Sequence, residues 1–224
     1  MTQSMPSVLS LDLAWSTGFA SGIIGGVPIS GSIKLGGNHA IIEVRCARLR
    51  DWLDAMLTAT SPDVLSIEAS VVAQMRGKFQ ATEAVMKSVY GLLMAAREVA
   101  IDRHGFRPIQ VRPSQIYGSK SLIEIGPQDV RAHFVGKRTF PVTDDGKRAA
   151  ALQAQAIGWE VSDFDAADAL ALFDTTCAII APSVYARGHS AKFTGRLPST
   201  FRPSIGKKDL RPKPDGPLFA KDRS

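Results

Sequence analysis

The chain has 224 residues, of which 45% are apolar, and a formal net charge of +6 at pH 7. This length and composition predict one globular domain, with or without a tail, and argue against a fully disordered chain. We find no apolar run long enough to span a bilayer and no signal-peptide pattern, so we expect a cytoplasmic protein with no membrane association.

Apolar segments along the first 180 residues predict an alternating order of strands and helices. The first three segments are strand-like, and Gly25-Gly26 predicts a hairpin turn between the second and the third. Helices and strands then alternate, which is typical of an α/β layer fold with a mixed sheet. The predicted strands cover residues 7–13, 19–25, 28–35, a segment ending at Glu68, 108–112 and 122–125, and the predicted helices cover residues 40–59, 82–103, 128–134, 147–157 and 164–180.

The excess of basic residues lies near the C-terminus. Residues 187–224 hold ten Lys or Arg and three Asp, whereas residues 1–186 hold seventeen basic and eighteen acidic residues. Pro and Gly are frequent after residue 187 and no helix or strand period is visible, so we predict a folded domain over residues 1–186 and a disordered basic tail over 187–224. Such tails commonly bind nucleic acid through its phosphates, and a solubilising extension is the alternative.

Several other kinds of site are absent from the sequence. Cys46 and Cys177 show no Cys-x-x-Cys spacing, so we interpret them as reduced core thiols. The four histidines are scattered at no metal-ligand spacing. No complete phosphate-binding loop and no Gly-x-Ser-x-Gly turn is present, so we expect no nucleotide cofactor and no serine hydrolase chemistry.

The most informative segment is the predicted helix that begins near residue 164. It is rich in Ala and Leu, yet it carries Asp165 and Asp168 three residues apart, on one face. Carboxylates in an apolar setting need compensation, and a divalent cation would supply it. The alternative for Asp165 is a helix cap, because Ser162 and Asp165 fit a capping box and Asp163 favours the same helix start.

Two further acids end predicted strands. Asp12 follows the apolar run Val8-Leu9-Ser10-Leu11, and Glu68 follows Val64-Leu65-Ser66-Ile67. Each acid alone could be a turn or surface residue. Together with the helical pair, they predict a site for divalent cations.

These residues carry a resemblance to a known family. The segments Asp12-Leu13-Ala14-Trp15-Ser16-Thr17-Gly18, Ile67-Glu68 and Asp165-Ala166-Ala167-Asp168-Ala169-Leu170-Ala171-Leu172 resemble RuvC-type Holliday junction resolvases of the ribonuclease H-like superfamily. The resemblance covers about residues 7–180. Leu13-Ala14 stands where the resolvases have Pro-Gly, and this divergence, with the basic tail, suggests a phage-type member.

The resemblance implies a fold, a cofactor and a reaction. The fold would be a ribonuclease H-like mixed five-stranded sheet flanked by helices. Asp12, Glu68, Asp165 and Asp168 would be the catalytic acids and would hold two Mg²⁺ ions about 4 Å apart, with Mn²⁺ able to substitute. The enzyme would be a homodimer that cuts four-way DNA junctions and leaves 5′-phosphate and 3′-hydroxyl ends.

Four basic residues are candidate DNA contacts. Arg76 and Lys78 lie in the loop after Glu68, where such a fold meets the junction. Arg131 stands where the family has a lysine in a Pro-x-x-Val-Lys element, and Lys147 opens the helix before the acidic one, where the family often has a lysine. Solvated surface charges are the alternative for the last two.

Two other functions stay open for the same fold. One is a nuclease that cuts flaps, forks or other branched replication intermediates. The four acids do not distinguish these substrates, because a metal site recognises phosphate and not the shape of the DNA. The other is a non-catalytic DNA-binding adaptor, against which the retention of all four acids argues.

Overall fold

The computed structural model describes residues 5–69, 83–109, 120–140, 143–182 and 185. The predicted contacts at Arg76 and Lys78, most of the segment 108–120 and the tail 187–224 lie outside the described residues. The predicted division into a domain and a tail therefore stays a prediction.

One mixed sheet forms the centre of the described part of the chain, with strand order β3-β2-β1-β4-β6-β5. Strands β1, β2 and β3 pair antiparallel, and β1, β4, β6 and β5 pair parallel. The predicted mixed sheet is confirmed, with six strands instead of five because a two-residue strand pairs with β6 at the edge. The strands are β1 (Ser7–Asp12), β2 (Ser16–Ile23), β3 (Ile29–Lys34), β4 (Val64–Glu68), β5 (Arg107–Pro108) and β6 (Ser121–Ile125).

Helices cover both faces of the sheet. Along β1, Val8 packs into the core under the C-terminal helices, whereas Leu9 and Leu11 pack on the opposite face against α1 and α2, as the two-residue period of a strand requires. The helices are α1 (Ile42–Thr60), α2 (Glu83–Glu98), α3 (Pro127–Phe134), α4 (Thr143–Ala156) and α5 (Phe164–Ile180).

Most predicted elements are confirmed to within a few residues. The hairpin turn uses Gly25 at φ +84°, a conformation that glycine adopts without strain. The helix predicted over 82–103 divides into α2 and a π-helical turn, Val99–Arg103, before Gly105 at φ +71°. Cys46 and Cys177 are free and buried, as predicted. No helix among the described residues is long and apolar enough to cross a membrane.

Helix α5 is the central buried helix, and its bounds agree with the predicted ones. All residues from 166 to 177 are buried, because the helix packs on β1 and β2 and against α3 and α4. The predicted capping box is wrong: the side chain of Asp163 caps the helix by accepting a hydrogen bond from Ala166 N at 2.8 Å. Ser32 Oγ donates to Asp163 at 2.6 Å, which ties the cap to β3.

Candidate active site

Two acids meet at the carboxyl edge of the sheet. Asp12 is the last residue of β1 and Glu68 is the last residue of β4. These strands are parallel neighbours, with Leu11 opposite Ile67 in the register. Because parallel strands end at the same edge, Asp12 and Glu68 lie on neighbouring strand ends, where the charge of Asp12 acts on Glu68.

The N-terminal part of α5 brings two more acids to this edge. Asp12 pairs with Gly18 across β1 and β2, and Gly18 lies directly against the backbone carbonyl of Asp165. Any larger residue at position 18 would hold the helix away from the strand. Asp168, one turn further along α5, is 7% exposed. Asp165 therefore lies at the candidate site, and the residue that caps the helix is Asp163.

Lys147 connects the two acids of the helix. Its Nζ lies 2.9 Å from Asp165 Oδ1 and 3.5 Å from Asp168 Oδ2. Burial alone would lower the pKa of Lys147, but the charge of Asp168 and the hydrogen bond to Asp165 raise it above its ordinary value. Lys147 is therefore a charged partner inside the acidic cluster.

The pKa values of three of the four acids are raised. Burial, together with the charge of Asp168, raises the pKa of Asp12 from 3.8 to about 7. Burial and the charges of Asp12 and Asp168 raise the pKa of Glu68 well above its ordinary value. Burial also raises the pKa of Asp168, against the opposing charges of Lys147 and Arg131. Such clustered, perturbed carboxyls are typical of functional sites.

Arg131 is the second basic residue at the site. It lies in α3, and its charge lowers the pKa of Asp12, Glu68 and Asp168. Its guanidinium packs against Gly146, the residue before Lys147 in α4, at 3.4 Å from the position of a Cβ there. Of the four basic residues predicted to contact DNA, the described structure thus places Arg131 and Lys147 beside the acids.

The chemistry of the four acids fits a hard divalent cation. Carboxylate oxygens are the ligands that Mg²⁺ prefers, and the pKa values raised by burial and by neighbouring acids mark negative charge that a cation would compensate. However, among the described residues no group of three or more His, Cys, Asp or Glu side chains is gathered closely enough to hold a metal ion. A cation bound by both Asp165 and Asp168 would compete with the ammonium of Lys147.

A second polar cluster lies further along α5 and was not predicted. Asp174 is 1% exposed, and its Oδ2 contacts Tyr185 Oη at 2.7 Å and His133 Nε2 at 3.1 Å. His133 belongs to α3, the helix that carries Arg131. The sequence shows Asp174 but not its partners, because Tyr185 is 11 positions away and His133 is 41 positions away.

Comparisons with known proteins give a fold and no sequence match. No model of a protein family and no curated protein matches the chain. The structure of RuvC from Thermus thermophilus superposes with a TM-score of 0.52 at 15% identity, over 82% of this chain and 95% of that one. The chain has the fold of RuvC. The resemblance predicted from Asp12, Glu68 and the acidic helix is thus confirmed at the level of the fold.

Two further structures are similar. T. thermophilus RuvC in complex with a Holliday junction substrate gives a TM-score of 0.52 at 13% identity, over 83% of this chain and 94% of that one. The yeast mitochondrial Holliday junction resolvase Ydc2 gives a TM-score of 0.47 at 10% identity, over 87% of this chain and 85% of that one. At such identities the similarity to RuvC describes the fold, and the chemistry rests on the residues of the site.

Proposed function

We propose that this protein is a magnesium-dependent, structure-selective endodeoxyribonuclease that resolves four-way DNA junctions. The observation that carries the proposal is that Asp12 and Glu68 end neighbouring parallel strands within electrostatic reach of Asp168, while Asp165 also acts on Asp12 and Asp168. Their buried negative charge is what a cation would compensate. Arg131 and Lys147 add positive charge where a phosphate would approach. The RuvC fold supports the same function.

In the proposed mechanism the four acids hold the cations and the two basic residues hold the DNA. When bound, Mg²⁺ supplies charge stabilisation of the phosphodiester and lowers the pKa of a water molecule. Arg131 and Lys147 donate hydrogen bonds to phosphate oxygens and orient the strand. Lys147 would exchange its contacts with Asp165 and Asp168 for a phosphate oxygen once Mg²⁺ is bound. A water oxygen bonds to the phosphorus as the bond to the 3′-oxygen breaks. The water gives up a proton to solvent and the 3′-oxygen takes one up, which leaves 5′-phosphate and 3′-hydroxyl ends.

The proposed enzyme acts as a homodimer, because a four-way junction requires two cuts. A groove of about 950 Å³ runs along the surface between α1 and α2. Val44 on α1 and Tyr90 and Met94 on α2 are exposed at 40%, 56% and 47%. The groove also holds both acidic and basic side chains, such as Glu43 and Lys87. A surface of mixed charge around an apolar centre is able to pair with a second copy of itself.

The adaptor function has one observation in its favour. Lys147 already bridges Asp165 and Asp168, so this pair is compensated without a metal ion. An adaptor would bind branched DNA through the same surface and would leave it intact. Activity and binding therefore have to be measured separately.

The test is a cleavage assay with purified full-length protein and Mg²⁺. The substrates are a synthetic four-way junction, a flap, a replication fork and a plain duplex. The variants are Asp12→Asn and Asp168→Asn, with Asp51→Asn as the control, since Asp51 is an exposed acid of α1. We expect paired symmetric cuts in the junction, loss of cleavage in the first two variants with DNA binding largely retained, and unchanged cleavage in the control.

Each other result has a definite meaning. Cleavage confined to flaps or forks would support the proposed metal site but would show that the substrate is not a four-way junction. Binding without cleavage of any substrate would support the adaptor. Wild-type rates in Asp12→Asn or Asp168→Asn would overturn the assignment of the acids.

A further inference from the structure

Trp15 is an exposed aromatic residue that follows Asp12 of the acidic cluster closely in the chain. It lies between β1 and β2, three residues after Asp12, and its side chain belongs to neither the core nor the set of acids. Trp15 is 53% exposed, although tryptophan is usually well buried. An exposed indole in a loop that leaves a candidate active site is a typical contact surface for a ligand.

The indole is held in place on its edge and on one face. Its Nε1 donates a hydrogen bond at 3.0 Å to the Oγ of Ser88, which lies on α2 and is 6% exposed. The guanidinium of Arg45 lies 4.3 Å from the ring centroid. Arg45 is itself 3% exposed, so the face of the ring that it covers is turned to the protein. The opposite face accounts for the exposure of the side chain.

The residues that support the indole are themselves fixed. Arg45 Nε donates to the carbonyl of Ala40 at 3.0 Å, and Arg45 Nη2 donates to the carbonyl of Gly37 at 2.9 Å. The backbone carbonyl of Trp15 accepts a hydrogen bond from Leu35 N at 3.0 Å. The ring is therefore ordered before any ligand arrives, and ligand binding does not bear the entropy cost of ordering it.

We propose that the open face of Trp15 stacks on an unstacked nucleobase of the bound DNA, close to the phosphate that is cut. This inference rests on the proposed function. Three residues span at most about 11 Å, and bases along one DNA strand are about 3.4 Å apart, so the base lies within about three steps of the phosphate that is cut next to Asp12. Stacking is favoured because every base offers a π face, and it tolerates any sequence.

The location of Trp15 favours a base over an apolar protein partner. Asp12, three residues before Trp15 in the chain, lies among carboxylates and the basic residues Arg131 and Lys147, which suit a phosphate backbone.

The experiment is a double-mutant cycle between Trp15 and the base. Binding of full-length protein is measured in EDTA, without cleavage, to four-way junctions that carry one abasic site at each position within three steps of the cut. Trp15→Leu removes the π face and keeps an apolar side chain, whereas Trp15→Phe keeps an aromatic ring. Ser88→Ala keeps the indole and removes the bond that orients it, and Asp51→Asn is the control.

We expect Trp15→Leu to weaken binding of the intact junction about tenfold, as for one lost base–aromatic stack, and Trp15→Phe and Ser88→Ala to weaken it less. At one abasic position the wild type and Trp15→Leu should bind equally, because the stacking partner is missing from both. An equal loss at every abasic position, or no loss in folded Trp15→Leu, would overturn the stacking proposal. If the wild-type protein neither bound nor cut the junction, the proposed function itself would fail.

Discussion

Gly18 of β2 lies directly against the backbone carbonyl of Asp165, the residue that opens the acidic side of α5. Gly18 is also the strand partner of Asp12. One glycine therefore sets the separation between an acid of the sheet and an acid of the helix. The close approach of helix and strand is possible because no Cβ stands between them.

We predict that Gly18→Ala destabilises the protein by about 3 kcal/mol, since the methyl group would overlap the carbonyl of Asp165 and displace the start of α5. Urea unfolding measures the change. Gly37→Ala is the matched control, because a Cβ at Gly37 meets no atom within 4 Å. Equal stabilities of the two variants would contradict the close packing at Gly18.

A second prediction concerns pH. Folding raises the pKa of Asp12 from 3.8 to about 7, so between these values the native state binds a proton that the unfolded chain releases. The free energy of unfolding therefore falls as the pH rises through this window. Asp12→Asn removes this carboxyl, and we expect the variant to gain stability relative to the wild type from pH 4 to pH 8. Urea unfolding in EDTA at several pH values measures it, and parallel curves for the two proteins would be evidence against the raised pKa.

A third prediction concerns Asp163, whose contribution to stability should change with pH in the direction opposite to that of Asp12. Although partial burial acts to raise it, the pKa of Asp163 is lowered overall by the hydrogen bonds from Ala166 N and Ser32, so its contribution is present above the ordinary pKa and is lost as the pH falls. We expect Asp163→Ala to lose about 1 kcal/mol at neutral pH, as for a lost helix cap. Its deficit relative to the wild type should shrink in acid.

The fourth prediction concerns metal binding without activity. Mg²⁺ should stabilise the wild-type protein, because it binds the acids of the folded state and not the unfolded chain. At a concentration 100 times its Kd the gain is about 2.7 kcal/mol, or about 5–10 °C in Tm. Asp168→Asn should reduce the shift. Lys147→Met should enlarge it, because the ammonium no longer competes for Asp165 and Asp168.

Thermal unfolding with Mg²⁺ and with EDTA measures these shifts. Asp51→Asn serves as the control and should show the wild-type shift. A shift of the same size in Asp168→Asn would place the bound Mg²⁺ elsewhere on the protein.

The fifth prediction concerns the tail. Removing residues 187–224 takes away ten basic residues, so DNA binding should weaken and its salt dependence should become less steep. Each lost phosphate contact makes the negative slope of log K against log salt shallower by about 0.9. A full-length chain with the ten basic residues changed to Gln separates charge from length. An unchanged slope would mean that the tail takes no part in binding.

Much of the fold follows from the sequence, because strands and helices are encoded by local periods. The bounds of α5 agree with its Ala- and Leu-rich pattern, and the ends of β1 and β4 agree with the positions of Asp12 and Glu68. The strand-like segments of the sequence include residues 108–112, close to the edge strand Arg107–Pro108, whereas the count of five strands came from the family resemblance. These features depend on residues close together in the chain.

Local patterns in the sequence identify which residues end the strands and which face of α5 carries its acids. The contacts of those residues were decided by tertiary structure: Lys147 reaches Asp165 across 18 positions, and Trp15 reaches Ser88 across 73. The choice of Asp163 as the cap also depends on Ser32 of a distant strand. The physical reason is that a side chain's partner depends on how whole elements pack, whereas sequence periodicity reports only which face of each element is buried.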